Sequence, residues 1–166
     1  EGFEFVQKGL AGFRDPSRLA VLISEDAHFS LRHAVRLLGL GEDALIPVKT
    51  DKNRRMDVGQ LRQTLQKLEG MREVVCVVAT AGTTSTGSVD PIQEIGDVCQ
   101  EAGTWLHVDG AYGLAYGLVP EKADLFKGLQ RADTISWDPH KQMGVPIPNS
   151  ILVARDLELF KPMALF

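Results

Sequence analysis

Glu73-Val74-Val75-Cys76-Val77-Val78-Ala79 is a continuous apolar run behind a single charge, and it is followed by the turn-rich stretch Gly82-Thr83-Thr84-Ser85-Thr86-Gly87. A short, β-branched run with no polar alternation predicts a strand buried on both faces of a parallel sheet. It is far shorter than the roughly 20 residues of a membrane helix. Upstream, Leu19 to Ser24 reads as a strand and Ala44 to Val48 as a second, short one. Between them His28 to Leu38 predicts a helix, with Leu31, Ala34, Val35 and Leu38 spaced to share one face. Asp57, with Gln60 three residues on, predicts a capped helix start, and Leu61, Leu65 and Leu68 form the apolar stripe.

Downstream the alternation continues. Asp90-Pro91 predicts a helix start, cap then proline, with Ile92, Ile95, Cys99 and Ala102 facing inward. Thr104 to Val108, Thr134 to Trp137 and Ser150 to Ala154 read as strands, with a short helix around Lys122 to Leu129 and a helix start just before the end at Phe166. This order predicts an α/β domain built on a mostly parallel sheet, with right-handed crossovers placing helices on both faces.

Composition narrows the function. Apolar residues make up 44% and charged residues 24% of the 166, which is ordinary globular usage. A net charge of -4 gives no footprint for nucleic acid or an anionic membrane. Cys76 and Cys99 form no CxxC pair and read as small core residues of a reducing compartment, which points to the cytoplasm. No GxGxxG follows the first strand, and neither GxxxxGK[ST] nor GxSxG occurs. His28 and His33 are not at the i, i+4 spacing of a helical zinc pair.

In open α/β sheets ligands bind outside the carboxyl ends of the strands. Polar residues collect at those ends here: Glu25-Asp26-Ala27-His28, the Gly82 to Gly87 loop, Asp109-Gly110-Ala111-Tyr112-Gly113, and Asp138-Pro139-His140-Lys141. A lysine among such neighbours can form an imine with a carbonyl. An aspartate at a strand end can keep a ring nitrogen protonated. A Schiff-base lysine and a carboxylate at the pyridine nitrogen are what pyridoxal 5′-phosphate asks of a protein.

The segments Asp26 to Ser30, Ala79 to Thr84, Leu106 to Gly113 and Ser136 to Lys141 together resemble the group II pyridoxal-phosphate-dependent decarboxylases, which act on aromatic amino acids, glutamate, cysteine sulfinate or diaminobutyrate. The likeness spans nearly the whole chain, and its most specific part is the run ending in Lys141. The resemblance implies the central part of the large domain of a fold-type-I enzyme, a homodimer acting on a small amino-acid substrate with pyridoxal 5′-phosphate as cofactor. By position it makes Lys141 the Schiff-base lysine and Asp109 the partner of the pyridine nitrogen. His28 would stack on one ring face, with Ala111 on the other. Thr84 would lie near the cofactor or substrate carboxylate, and His140 at the phosphate end. Asp138 stands where some members carry Asn, and its negative charge argues against direct phosphate contact. Gly110 stands where Ala is frequent, a change expected to keep close backbone approach.

Family members also hold the phosphate on a Ser/Gly-rich helix start, and none precedes Leu19. The expectation is therefore a segment of a longer protein, lacking that loop, a small C-terminal domain and a catalytic loop, and by itself a weak binder of cofactor. Two other readings stand beside decarboxylation: another reaction of the same fold, such as carbon–carbon lysis or transamination, and a truncated non-catalytic paralogue serving as a binding subunit. Individual residues also have plainer readings. Asp109 could cap a turn, His28 could bond backbone at a helix start, and Thr83 and Thr84 could close a turn. His107 reads as a packed imidazole, His33 as an inert surface residue, and Trp105 and Trp137 as core or pocket wall.

Overall fold

Six strands form one sheet in the order β2-β1-β3-β4-β5-β6 in a computed structural model, which describes residues 7–158 and residue 161. The strands are β1 (Leu19–Ser24), β2 (Leu45–Val48), β3 (Glu73–Thr80), β4 (Trp105–Asp109), β5 (Thr134–Trp137) and β6 (Ile151–Ala154). All neighbours pair in parallel except β5 and β6, which are antiparallel. The helices are α1 (Ser30–Leu37), α2 (Val58–Leu68), α3 (Ile92–Ala102) and α4 (Pro139–Gln142). The helix start expected just before Phe166 lies outside the described residues.

The chain leaves β1 toward one edge of the sheet and leaves β3 toward the other. With right-handed crossovers that reversal puts α1 on the face opposite α2 and α3. Helices α2 and α3 pack against each other and against β3. Beneath them lies the core, with Leu22, Val77, Ala79, Leu106 and Val108 from the strands meeting Leu61, Ile92, Ile95 and Val98. The opposite face of β3, β4 and β5 carries Thr80, His107, Asp109, Thr134 and Ser136, as their register requires.

Several expectations are refined. β3 is fully buried only over its last four residues, and Glu73 and Val75 are exposed. Its pairing with β1 slips there, Ala20 opposite Val74 but Val21 opposite Cys76, so Val75 is an extra, bulged residue. The expected stripe on α1 is not buried: Val35 is, Leu31 is half-buried, and Ala34 and Leu38 are exposed. α1 packs chiefly on the 3₁₀ turn Glu42–Ala44 rather than on the sheet. Ala102 is likewise exposed at the end of α3. The helix expected around Lys122 to Leu129 is two 3₁₀ segments, Pro120–Phe126 and Leu129–Arg131. Asp57 does cap α2, accepting from Gln60 N at 2.9 Å.

Asp90 does not cap α3, which begins at Ile92 with no side-chain cap. Its carboxylate is 2% exposed and accepts from Met56 N at 2.6 Å and Thr80 N at 2.7 Å. It thereby fastens the end of β3 to the approach to α2. Burial, aided by the carboxylates of Asp26 and Asp51, outweighs these two bonds and pushes the Asp90 pKa up to about 6. Asp90→Ala is expected to strand both amides and cost about 2–5 kcal/mol, read as a lower urea midpoint. Native Asp90 takes up its proton near pH 6, and an unfolded Asp only near about pH 4. The wild-type advantage over Asp90→Ala therefore grows as pH falls from about 7 to about 5. Equal midpoints at both pH values would remove this role.

Candidate active site

Because β1 and β3 send their connections in opposite directions, a crevice opens outside their carboxyl ends. A cavity of about 720 Å³ occupies it. Its wall draws Asp26, Ala27 and His28 from beyond β1, and Thr80 and Gly82 to Ser85 from the end of β3. β4 and its exit contribute His107, Asp109, Ala111 and Tyr112, and β5 and its exit contribute Ser136, Asp138 and Lys141. Five of the six residues singled out from sequence thus meet at one cavity: Lys141, Asp109, His28, Thr84 and Ala111. His140 does not line it. Its Nδ1 lies 2.6 Å from the carbonyl oxygen of Asn149 and 3.2 Å from Asn149 N, which ties α4 to the approach to β6.

Lys141 sits on the single turn of α4, where Pro139 sets the first helical position. Its Nζ is 2.9 Å from Asp138 Oδ2. Burial works against ionisation of Asp138. Hydrogen bonds from Lys141 and Ser150 and the charges of Lys141 and His140 outweigh it and hold the carboxyl below the usual range. Asp138 therefore belongs to the lysine in this arrangement.

Asp109 ends β4. Its Oδ1 accepts from Ala111 N at 3.0 Å and Ser136 Oγ at 3.4 Å. No donor among the described residues reaches Oδ2, so this oxygen is available to a ligand. The turn-capping bond to Ala111 and an open oxygen coexist on one carboxylate.

His28 precedes α1 and combines two readings. Its Nδ1 is 2.9 Å from Ser30 Oγ and accepts from Ser30 N at 3.3 Å, a backbone bond at the helix start. The accepting Nδ1 leaves Nε2 to carry the proton in the neutral ring. The imidazole rests on Phe29, ring centroids 4.2 Å apart, and Phe29 in turn meets His33 edge-on at 5.7 Å. The two threonines divide their tasks. Thr83 is buried and closes the loop through Thr86 Oγ1 at 2.7 Å and Ser88 Oγ at 3.2 Å. Thr84 is exposed to the cavity and makes no hydrogen bond among the described residues.

Close backbone packing holds these loops together. Gly82 has φ +101, and a Cβ there would stand 2.6 Å from Gly113 Cα. A Cβ on Gly113 would stand 2.5 Å from Ala81 O. The exits of β3 and β4 thus touch through bare backbone, which only glycine permits. Gly110 makes the close approach expected of it: a Cβ there would meet Leu114 Cβ at 2.7 Å and Ser136 O at 2.9 Å.

His107 shares Thr134 Oγ1 with Trp105: His107 Nδ1 is 2.8 Å away, and Trp105 Nε1 donates at 3.1 Å. Burial lowers the His107 pKa, only partly offset by Asp109, which favours the neutral imidazole. The sequence reading missed Thr80, Ser136 and the Asp138–Lys141 pair. It also missed the ion pair of Asp26 Oδ1 with Arg54, a non-glycine residue at φ 61. A positive φ off glycine marks an over-determined position, and Arg54 O accepts from Ser88 Oγ at 2.7 Å.

A family model described as the Pyridoxal-dependent decarboxylase conserved domain matches residues 7–164. The chain belongs to this family. It is 41% identical over 145 residues to the L-2,4-diaminobutyrate decarboxylase of Rhizobium meliloti (strain 1021), covering 87% of this chain and 29% of that protein. It is 38% identical over 146 residues to the cysteine sulfinic acid decarboxylase of Homo sapiens, covering 87% of this chain and 30% of that protein. The chain thus spans under a third of the length of these relatives. Among solved structures, mouse CSAD in apo form superposes with a TM-score of 0.90 at 36% identity, over 96% of this chain and 33% of that one. Oryza sativa TDC with PLP gives 0.83 at 28% identity, over 95% and 36%.

Pyridoxal 5′-phosphate is therefore the cofactor that the cavity has to fit, and the donor set fits it. An amine and an aspartate with an open oxygen face the same space. Two buried polar atoms of residues lining it, Asp26 Oδ2 and Thr80 Oγ1, have no hydrogen-bond partner among the described residues.

Proposed function

We propose that the whole protein decarboxylates an L-amino acid to its amine and carbon dioxide, and that these 166 residues are the cofactor-binding segment of its large domain. The observation that carries this reading is the shared cavity of Lys141 and Asp109, at the carboxyl ends of neighbouring parallel strands. When bound, pyridoxal phosphate captures an amine covalently and draws electrons from the α-carbon into its ring.

Within this reading Lys141 Nζ would be the covalent anchor, with Asp138 as its ion-pair partner whenever the amine is free. Asp109 Oδ2 accepts the N–H of the pyridine ring, which keeps the ring positively charged. The His28 imidazole covers one ring face, and the small Ala111 leaves room on the other. The Thr84 hydroxyl donates to an incoming carboxylate or to a cofactor oxygen. The reaction so supported would break the bond between the α-carbon and its carboxylate, release carbon dioxide, and put a proton from solvent in its place. Supporting the family assignment at the level of substrate class, the named relatives act on L-2,4-diaminobutyrate and cysteine sulfinic acid.

A cytoplasmic homodimer completes the proposal. No helix among the described residues is long and apolar enough to cross a membrane. Phe29, Leu37 and Leu38 are exposed apolar side chains that further protein surface could cover. Both thiols are free, and burial pushes Cys76 and Cys99 up to about 12, which suits inert core cysteines.

Full-length protein incubated with pyridoxal phosphate should show a visible absorption band that Lys141→Ala abolishes, and should release carbon dioxide from at least one member of an amino-acid panel. A band that survives in Lys141→Ala would refute the anchor. Keto acid without carbon dioxide would move the protein to transamination.

A further inference from the structure

Asp109 stands in the sheet between two hydroxyl side chains. The register pairs Thr80 with Asp109 across β3 and β4, and Asp109 with Ser136 across β4 and β5. Residues in register on one face of a sheet project side by side, about 4.8 Å apart. Ser136 already uses its hydroxyl on Asp109 Oδ1 at 3.4 Å. Thr80 has its hydroxyl unspent: the residue is 4% exposed, it lines the cavity, and Oγ1 has no partner among the described residues.

Thr80 is held in place from behind. Its N donates to Asp90 Oδ2 at 2.7 Å, its O accepts from Asp90 N at 2.9 Å, and the next amide, Ala81 N, donates to Asp109 O at 2.7 Å. The backbone cannot turn to find the hydroxyl a partner without giving up these bonds. A buried hydroxyl left unpaired is costly and asks for an explanation. The neighbouring acceptor in register is Asp109, whose Oδ2 no donor among the described residues takes.

We infer that Thr80 is a positioning residue for Asp109: its hydroxyl donates to Oδ2 when the carboxylate turns to meet the cofactor's ring nitrogen. Thr80 and Ser136 then clamp the carboxylate from both sides, one hydroxyl to each oxygen. The carboxylate is held in the orientation that the ring N–H needs. The inference rests on the cofactor reading above and adds to it a residue that local sequence pattern does not single out.

Thr80→Val keeps the shape and removes the hydroxyl, and Thr80→Ser keeps the hydroxyl. In full-length protein titrated with pyridoxal phosphate, Thr80→Val is expected to raise the dissociation constant about tenfold, as loss of a hydrogen bond to a charged group does. Thr80→Ser should stay within about twofold of wild type. The urea midpoint of cofactor-free Thr80→Val should equal or exceed that of wild type, because an unpaired buried hydroxyl has been removed. Unchanged affinity in Thr80→Val would overturn the inference, as would a weakened affinity accompanied by a lower cofactor-free midpoint, which marks a merely structural role. Wild-type protein that takes up no pyridoxal phosphate would instead overturn the cofactor reading itself.

Discussion

Parallel pairing of β3, β4 and β5 is the constraint on which the site depends. It brings Thr80, Asp109 and Ser136 to one level across the sheet and delivers the loops that follow to the same edge. A shift of one residue in any of these strands would turn its site residue into the opposite face, among the core side chains under α2 and α3. The register is fixed from two directions. On the core side Val77, Ala79, Leu106 and Val108 pack with the helices. At the edge the Asp90 carboxylate locks the end of β3, and the bare backbones of Gly82 and Gly113 lock the two exits together. Stability and function therefore share the same few residues.

Charge is arranged with the same economy. Lys141 rests on Asp138, and Asp26 on Arg54, so the cationic and anionic groups at the cavity are paired within the protein. Asp109 differs: its Oδ1 is bound by neutral donors, and its second oxygen is open. In the proposed function that asymmetry would direct a cationic ring nitrogen to Asp109 and leave Lys141 for covalent capture. Asp138 shows why residue type alone misleads. As a would-be phosphate contact it carries the wrong charge, whereas as a partner of the lysine its charge is what the geometry uses.

The strand and helix order was legible because apolar runs, turn residues and capping signals are local. β1 and β5 match their expected spans, and Asp57 caps α2 as its spacing implies. What was not legible depends on distant partners. Asp90-Pro91 looks locally like a cap, but the amides that claim Asp90 belong to Met56 and Thr80. The direction of β6 follows from the hairpin-like return after α4, which no periodicity records. At the site, clusters of polar residues at strand ends marked the loops that line the cavity, and the resemblance singled out Lys141, Asp109, His28, Thr84 and Ala111 among them. Thr80 escaped because it closes an apolar strand and matters only through register. His140 was drawn in by its place beside Lys141, and the structure engages its Nδ1 with Asn149 instead of lining the cavity with it.

The central claim is that the parallel ladder aims one particular lysine at the cofactor. Borohydride reduction of the full-length protein loaded with pyridoxal phosphate, followed by peptide mapping, tests it directly. The account predicts a pyridoxyl group on the peptide containing Lys141 and on no other. A label confined to another lysine, such as Lys122 or Lys127 after β4, would contradict it.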